Sequence, residues 1–176
     1  VIRARAHWRR DADVFRRQKK KEHKTLRVLD PRGTDGVQAQ EGPKPPCLAI
    51  YLAAGGPLRL VEWSAESPGF FLTELVTEND ELVRAQFTEP HVYYAGSHTH
   101  CGCGFNYGRT PKFERDAEEL ARKHHALAAF SEYLAQEIGR VGEIELFCCR
   151  DGDQNEQPEL RRALTPSTLL GERFIF

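Results

Sequence analysis

With 176 residues, 40% hydrophobic side chains and a net charge of −1, the chain has the size and apolar content of one domain with some length to spare. Ten phenylalanines can fill a core without help from disulfides. The longest apolar stretch, Leu48 to Ala54, is too short to cross a bilayer as a helix, so no membrane partner is expected.

The cysteine count is five, and two of the five are the neighbours Cys148 and Cys149. An odd count, a vicinal pair and no apolar leader-like opening argue against a secreted disulfide scaffold and for a reducing compartment. A cytoplasmic protein is expected.

Charge is unevenly spread. Residues 1–27 hold eleven Lys and Arg against Asp11, Asp13 and Glu22, a local charge of +8, so the remainder carries −9. This split marks 1–27 as a basic, mobile arm ahead of an acidic body. Arg9, Arg10, Arg16, Arg17 and Lys19 to Lys21 can meet phosphates, with Trp8 available to stack, so nucleic acid is a possible partner only through this arm. The bland reading is a solvated helix charged on all sides. The chain starts at Val1 and lacks methionine, so a third reading makes the arm translated upstream sequence. Residues 28–46 are rich in Pro and Gly and aperiodic, the composition of a linker. The globular domain is expected over 47–176.

Within that domain, Cys47 to Ala53 has the length and composition of a buried strand, ended by Gly55-Gly56-Pro57. Leu58 to Trp63 partly alternates and is expected to pair with it. Phe70 to Val76 is a third apolar run. Thr77 and Asp80 form a capping-box pattern before a short helix carrying Leu82, Val83 and Phe87, which Pro90 stops. His91 to Ala95 is a β-rich run. Thr110-Pro111 reads as an N-cap and first helical position. Phe113, Ala117, Leu120, His124, Leu127, Ser131, Leu134 and Ile138 then predict a long amphipathic helix, closed by Gly139. On this stripe His124 belongs to the core, and His125 faces outward. Glu143 to Cys149 alternates as a strand, Thr165-Pro166 opens a short helix, and Arg173 to Phe176 is a last strand. The expected fold is α/β or α+β: a single mixed sheet with one long amphipathic helix packed on a face.

Chemistry concentrates in Ser97-His98-Thr99-His100-Cys101-Gly102-Cys103-Gly104-Phe105, between a strand and the long helix. Glycine between Cys101 and Cys103 permits a turn tight enough for both thiolates to reach one ion. Thiolate and imidazole donors suit zinc first, then Cu(I) or an iron–sulfur cluster. So short a loop rarely completes a tetrahedral site, and the strand ending at Cys148-Cys149 is the natural second contributor. Alternation puts Cys148 with Ile144 and Leu146 and Cys149 with Glu145 and Phe147, so only one of them can join a given site. Cys47 is a further possible ligand. The expected zinc ligands are His98, Cys101, Cys103 and Cys149.

Two rival functions accompany this one. The first is a metal-free thiol-dependent enzyme, in which His98 activates Cys101 or Cys103. The second is a binding module without chemistry, its cysteines small buried hydrophobes in a stable turn. Other motifs carry less. Asp151-Gly152-Asp153-Gln154-Asn155 opens like a calcium loop, but Glu156 stands where glycine is required and Arg162 where the closing glutamate belongs. Gly102, Gly104 and Gly108 form no phosphate-binding fingerprint, and no Gly-x-Ser-x-Gly element is present.

From Cys47 onward, the runs Cys47–Leu52, His91–His98 and Cys101–Gly108, with the strand ending at Cys149 and the turn Asp151–Asp153, resemble a family of small uncharacterised bacterial proteins. The resemblance covers roughly 130 residues by the extent of these runs. It implies a domain that starts just before Cys47, and it implies no reaction.

Overall fold

The computed structural model describes residues 1–6, 47–65, 69–105 and 116–171. Among them, six strands form one mixed sheet: β1 (Ile2–Ala6), β2 (Leu48–Ala54), β3 (Phe70–Glu74), β4 (His91–Ser97), β5 (Ile144–Arg150) and β6 (Leu160–Leu164). Their order across the sheet is β3-β4-β2-β5-β1-β6. Only β1 and β5 run parallel; the other four pairings are antiparallel. Three α-helices accompany the sheet: α1 (Glu78–Leu82), α2 (Ala117–Val141) and α3 (Thr168–Gly171). No described helix is long and apolar enough to cross a membrane.

Each face of the sheet has its own core. Ile50, Leu52, Ile144, Leu146 and Cys148 point to the side covered by α2, where Leu127, Phe130 and Leu134 are buried against them. Ala49, Tyr51, Phe147 and Cys149 point to the other side, where they pack with Val83. The alternation expected for Cys148 and Cys149 is therefore observed, one thiol on each face. The capping box at α1 also forms, with Asp80 N–H donating to Thr77 Oγ1 at 3.1 Å and Thr77 N–H to Asp80 Oδ2 at 3.0 Å.

Five expectations need correction. Residues 2–6 are not part of a separate arm but strand β1, hydrogen-bonded to β5 on one side and β6 on the other. Ile2, Ala4 and Ala6 are buried and alternate with Arg3 and Arg5, a period-two pattern that the positive charge of the segment obscures. The remainder of the expected arm and the linker, residues 7–46, lies outside the described residues.

Leu58 to Trp63 does not pair with β2, because β4 and β5 already occupy both of its edges. The segment makes one isolated bridge instead, Val61 to Leu72, and is pinned by Leu58 N–H to Tyr93 Oη at 3.1 Å and Tyr133 Oη–H to the Arg59 carbonyl at 2.8 Å.

Helix α2 starts with Asp116 as its N-cap, accepting from the N–H groups of Glu118 and Glu119. The expected start at Thr110-Pro111 lies outside the described residues. The helix closes at Gly142, whose φ of 87° favours glycine, while Gly139 remains inside it. His124 is exposed rather than in the core, because the buried stripe runs through Ala126, Leu127, Phe130, Tyr133 and Leu134. Strand β6, Leu160–Leu164, was not expected, since its paired arginines hide a weak alternation at a sheet edge. The expected strand 173–176 lies outside the described residues.

Candidate metal centre

Antiparallel pairing brings the start of β2, the end of β4 and the end of β5 to one margin of the sheet. Cys47 sits at the start of β2, and its carbonyl accepts from Asp151 N–H at 2.8 Å. The loop after β4 folds back over the same margin. Within it, Ser97 N–H donates to the Cys101 carbonyl at 2.9 Å, and His100 N–H donates to the Ser97 carbonyl at 3.0 Å. His100 makes the reversal at φ 61°, a left-handed conformation unusual for a residue with a side chain.

Buried Ser97 ties the loop together. Its hydroxyl donates to the Cys101 carbonyl at 2.6 Å and accepts from Gly104 N–H at 3.1 Å. A 3₁₀ turn, Gly102–Phe105, then crosses the sheet margin, and Phe105 stacks on Phe130 of α2 with ring centroids 4.7 Å apart. Both glycines of the turn are sterically required. A Cβ on Gly102 would lie 2.8 Å from the Leu48 carbonyl oxygen, and one on Gly104 would lie 2.2 Å from Ser97 Oγ and 2.7 Å from the His98 ring.

This geometry brings the sulfurs of Cys47, Cys101 and Cys103 to within 4.8 Å of one another. Two of them accept backbone hydrogen bonds: Leu48 N–H donates to Cys103 Sγ at 3.2 Å, and Cys103 N–H to Cys101 Sγ at 3.4 Å. Thr99 Oγ1 lies 3.4 Å from Cys101 Sγ. Such donors favour sulfur in its anionic form, the form that binds metal. Hydrogen bonds from the Cys103 thiol foremost, with Thr99, the Cys103 N–H and the Cys47 thiol adding to it, outweigh burial and bring the Cys101 thiol down to about 5. The same sharing pushes Cys103 up, chiefly because its proton bonds to Cys101. Cys47 also rises, chiefly through the Cys101 charge beside it. The three thiols are thus linked, with ionisation favoured at Cys101 and opposed at its two neighbours.

The donor set fits a single ion. Zn–S bonds of roughly 2.3 Å at tetrahedral angles separate sulfurs by roughly 3.8 Å, inside the observed envelope. Of the four expected ligands, the structure brings Cys101 and Cys103 together but neither His98 nor Cys149 with them. The His98 side chain is only 5% exposed; its Nε2 lies 3.1 Å from Glu119 Oε1, which anchors the loop to α2. Its Nδ1 is buried without a hydrogen-bond partner. Cys149 pairs with Ala49, two residues into the sheet from Cys47, and its thiol is pushed up to about 12 by burial. Cys47 takes the place expected for Cys149. Strand alternation identifies the correct face, but depth along the strand depends on the register between β2 and β5.

A cleft of about 450 Å³ opens beside the cluster on the face away from α2. Cys47 and Cys101 line it together with Tyr51, Phe71, Asp80 and Tyr94. Tyr51 Oη donates to Asp80 Oδ1 at 2.8 Å and accepts from Gln154 Nε2 at 3.2 Å. Burial opposes ionisation of Asp80, but hydrogen bonds from Thr77 and Tyr51 hold its carboxyl below the usual range. His100, also on the cleft wall, packs at a tilt against Trp63 with ring centroids 4.3 Å apart.

No family model, characterised protein or solved structure matches the chain.

Proposed function

We propose that this protein binds one soft metal ion, zinc, through the thiolates of Cys47, Cys101 and Cys103. The observation that carries the reading is the mutual approach of the three sulfurs to within 4.8 Å, drawn from two segments far apart in sequence. Three protein donors leave one tetrahedral position for water or a substrate atom, as in catalytic zinc sites. Cys47 and Cys101 line the cleft, so an ion held by them would sit at its wall. When bound, zinc would supply Lewis-acid polarisation there. The protein contributes the N–H donors on sulfur and the loop that Ser97 ties together. All five cysteines are free.

Elemental analysis tests this, on protein purified without a metal-binding tag and with thiols titrated before and after chelation. About one zinc per chain, released together with three thiols, is the expected result. Serine at Cys47 or Cys103 should abolish stoichiometric metal, whereas serine at Cys149 should not. Metal-free protein with five titrating thiols would end the reading.

The low pKa of Cys101 favours a second reading, a metal-free thiol enzyme with Cys101 as nucleophile. Glu119 holds Nε2 of His98, and the imidazole is not among the donors that converge with the three sulfurs. Absent metal combined with rapid alkylation of Cys101 alone would select this reading.

A further inference from the structure

The cleft beside the cysteine cluster has its own chemical character. Its acidic lining residues are Asp80 and Asp151, and no Lys or Arg lines it among the described residues. Its walls are aromatic. Phe71 and Tyr94 have ring centroids 6.0 Å apart, and His100 lies 6.2 Å from Phe71. At about 450 Å³ the space suits a small organic molecule.

We infer that the cleft binds a small organic cation, an amine or guanidinium compound, with its carbon body against Phe71 and Tyr94 and its charge toward Asp80 and Asp151. The inference deepens the metal reading and rests on it for the ion at the Cys47–Cys101 wall. Acidic walls with no lining Lys or Arg among the described residues select a cation, and aromatic faces add cation–π attraction. A second metal ion fits less well. Among the described residues, the cysteine trio is the only group of three or more donors that converges on one point. Asp80 spends both its oxygens on Tyr51 and Thr77, and Asp151 Oδ1 accepts from Gln154 Nε2 at 3.0 Å.

Calorimetry on the full chain tests this with butylamine and butylguanidine, against butanol and butyrate as neutral and anionic counterparts. Metal content is measured on the same samples. Saturable binding of both cations, about tenfold or more tighter than either counterpart, is expected. Asp151→Asn, at an exposed residue, and Asp80→Asn, which keeps an acceptor for Tyr51, should each weaken it about tenfold. Equal binding of the neutral or anionic compound overturns the inference, as does unchanged cation affinity in a folded Asp151→Asn variant. Failure of all four compounds to bind a chain carrying one metal ion overturns it while leaving the metal reading intact. Cation binding to a chain that takes up no metal supports the cleft and removes the metal.

Discussion

Arg5 Nη2 lies 2.7 Å from Glu145 Oε1, joining a strand at the start of the chain to one that begins 138 residues after it, at Ile144. Arg5 also donates to the Gln86 carbonyl. The Glu145 side chain is 2% exposed and takes further hydrogen bonds from Thr88 N–H at 2.7 Å and Thr88 Oγ1 at 2.8 Å. Removing one partner of a buried pair leaves the other charge uncompensated. Arg5→Ala should therefore cost on the order of 3–5 kcal/mol in urea unfolding. Arg3→Ala, on the same face of the strand but with a side chain 59% exposed, should change little. If the two variants melt alike, residues 2–6 are not integral to the sheet.

The two glycines of the cysteine turn make a sharper test of the site. Alanine at Gly102 meets a backbone carbonyl, and alanine at Gly104 meets Ser97 and the His98 ring. Both variants should lose stoichiometric metal even where circular dichroism shows a folded sheet. Retained metal in Gly104→Ala would mean that the turn relaxes without separating the sulfurs.

The glycines near the end of α2 should behave in opposite ways. Gly139 has open space where a Cβ would go and helical backbone around it, so Gly139→Ala should stabilise by about 1 kcal/mol. That corresponds to a rise in Tm of about 2–4 °C for a chain of this length. Gly142→Ala should lower Tm, because φ is 87° there. Thermal melts of both variants decide the matter.

Proton linkage gives a fourth expectation for the reduced, metal-free protein. The folded Cys101 thiol lies near 5, below its unfolded value near 9, so its contribution is present above pH 9 and is lost as pH falls toward 5. Cys47 and Cys103 are raised, so they remain protonated in the fold while the unfolded chain ionises above pH 9, and stability falls there. The urea midpoint should therefore climb between pH 5.5 and 8.5, and Cys101→Ser should flatten that climb. A slope unchanged by the substitution would assign it to other groups.

Much of the fold is legible in the sequence because its signals are local. The apolar run of β2 and the alternation of β5 state their own structure. Thr77 with Asp80 announces α1, and the spacing of Leu127, Ser131 and Leu134 marks α2. Ile2 to Ala6 carries alternation too, but a charge count over a longer window swamps it. Leu58 to Trp63 has strand character, yet its pairing depends on whether an edge of β2 is free, which no local pattern records.

The site divides in the same way. Cys101-Gly102-Cys103-Gly104 announces two sulfurs in a turn that only glycine fits, since backbone chemistry dictates it within a few residues. The third donor was decided by the fold. Register between β2 and β5 carries Cys149 into the core and leaves Cys47 at the sheet margin, and the approach of α2 gives His98 to Glu119 rather than to the sulfurs. Local sequence determined which residues carry side chains able to bind a metal. Strand register and helix packing, which join residues many positions apart, decided which of them meet.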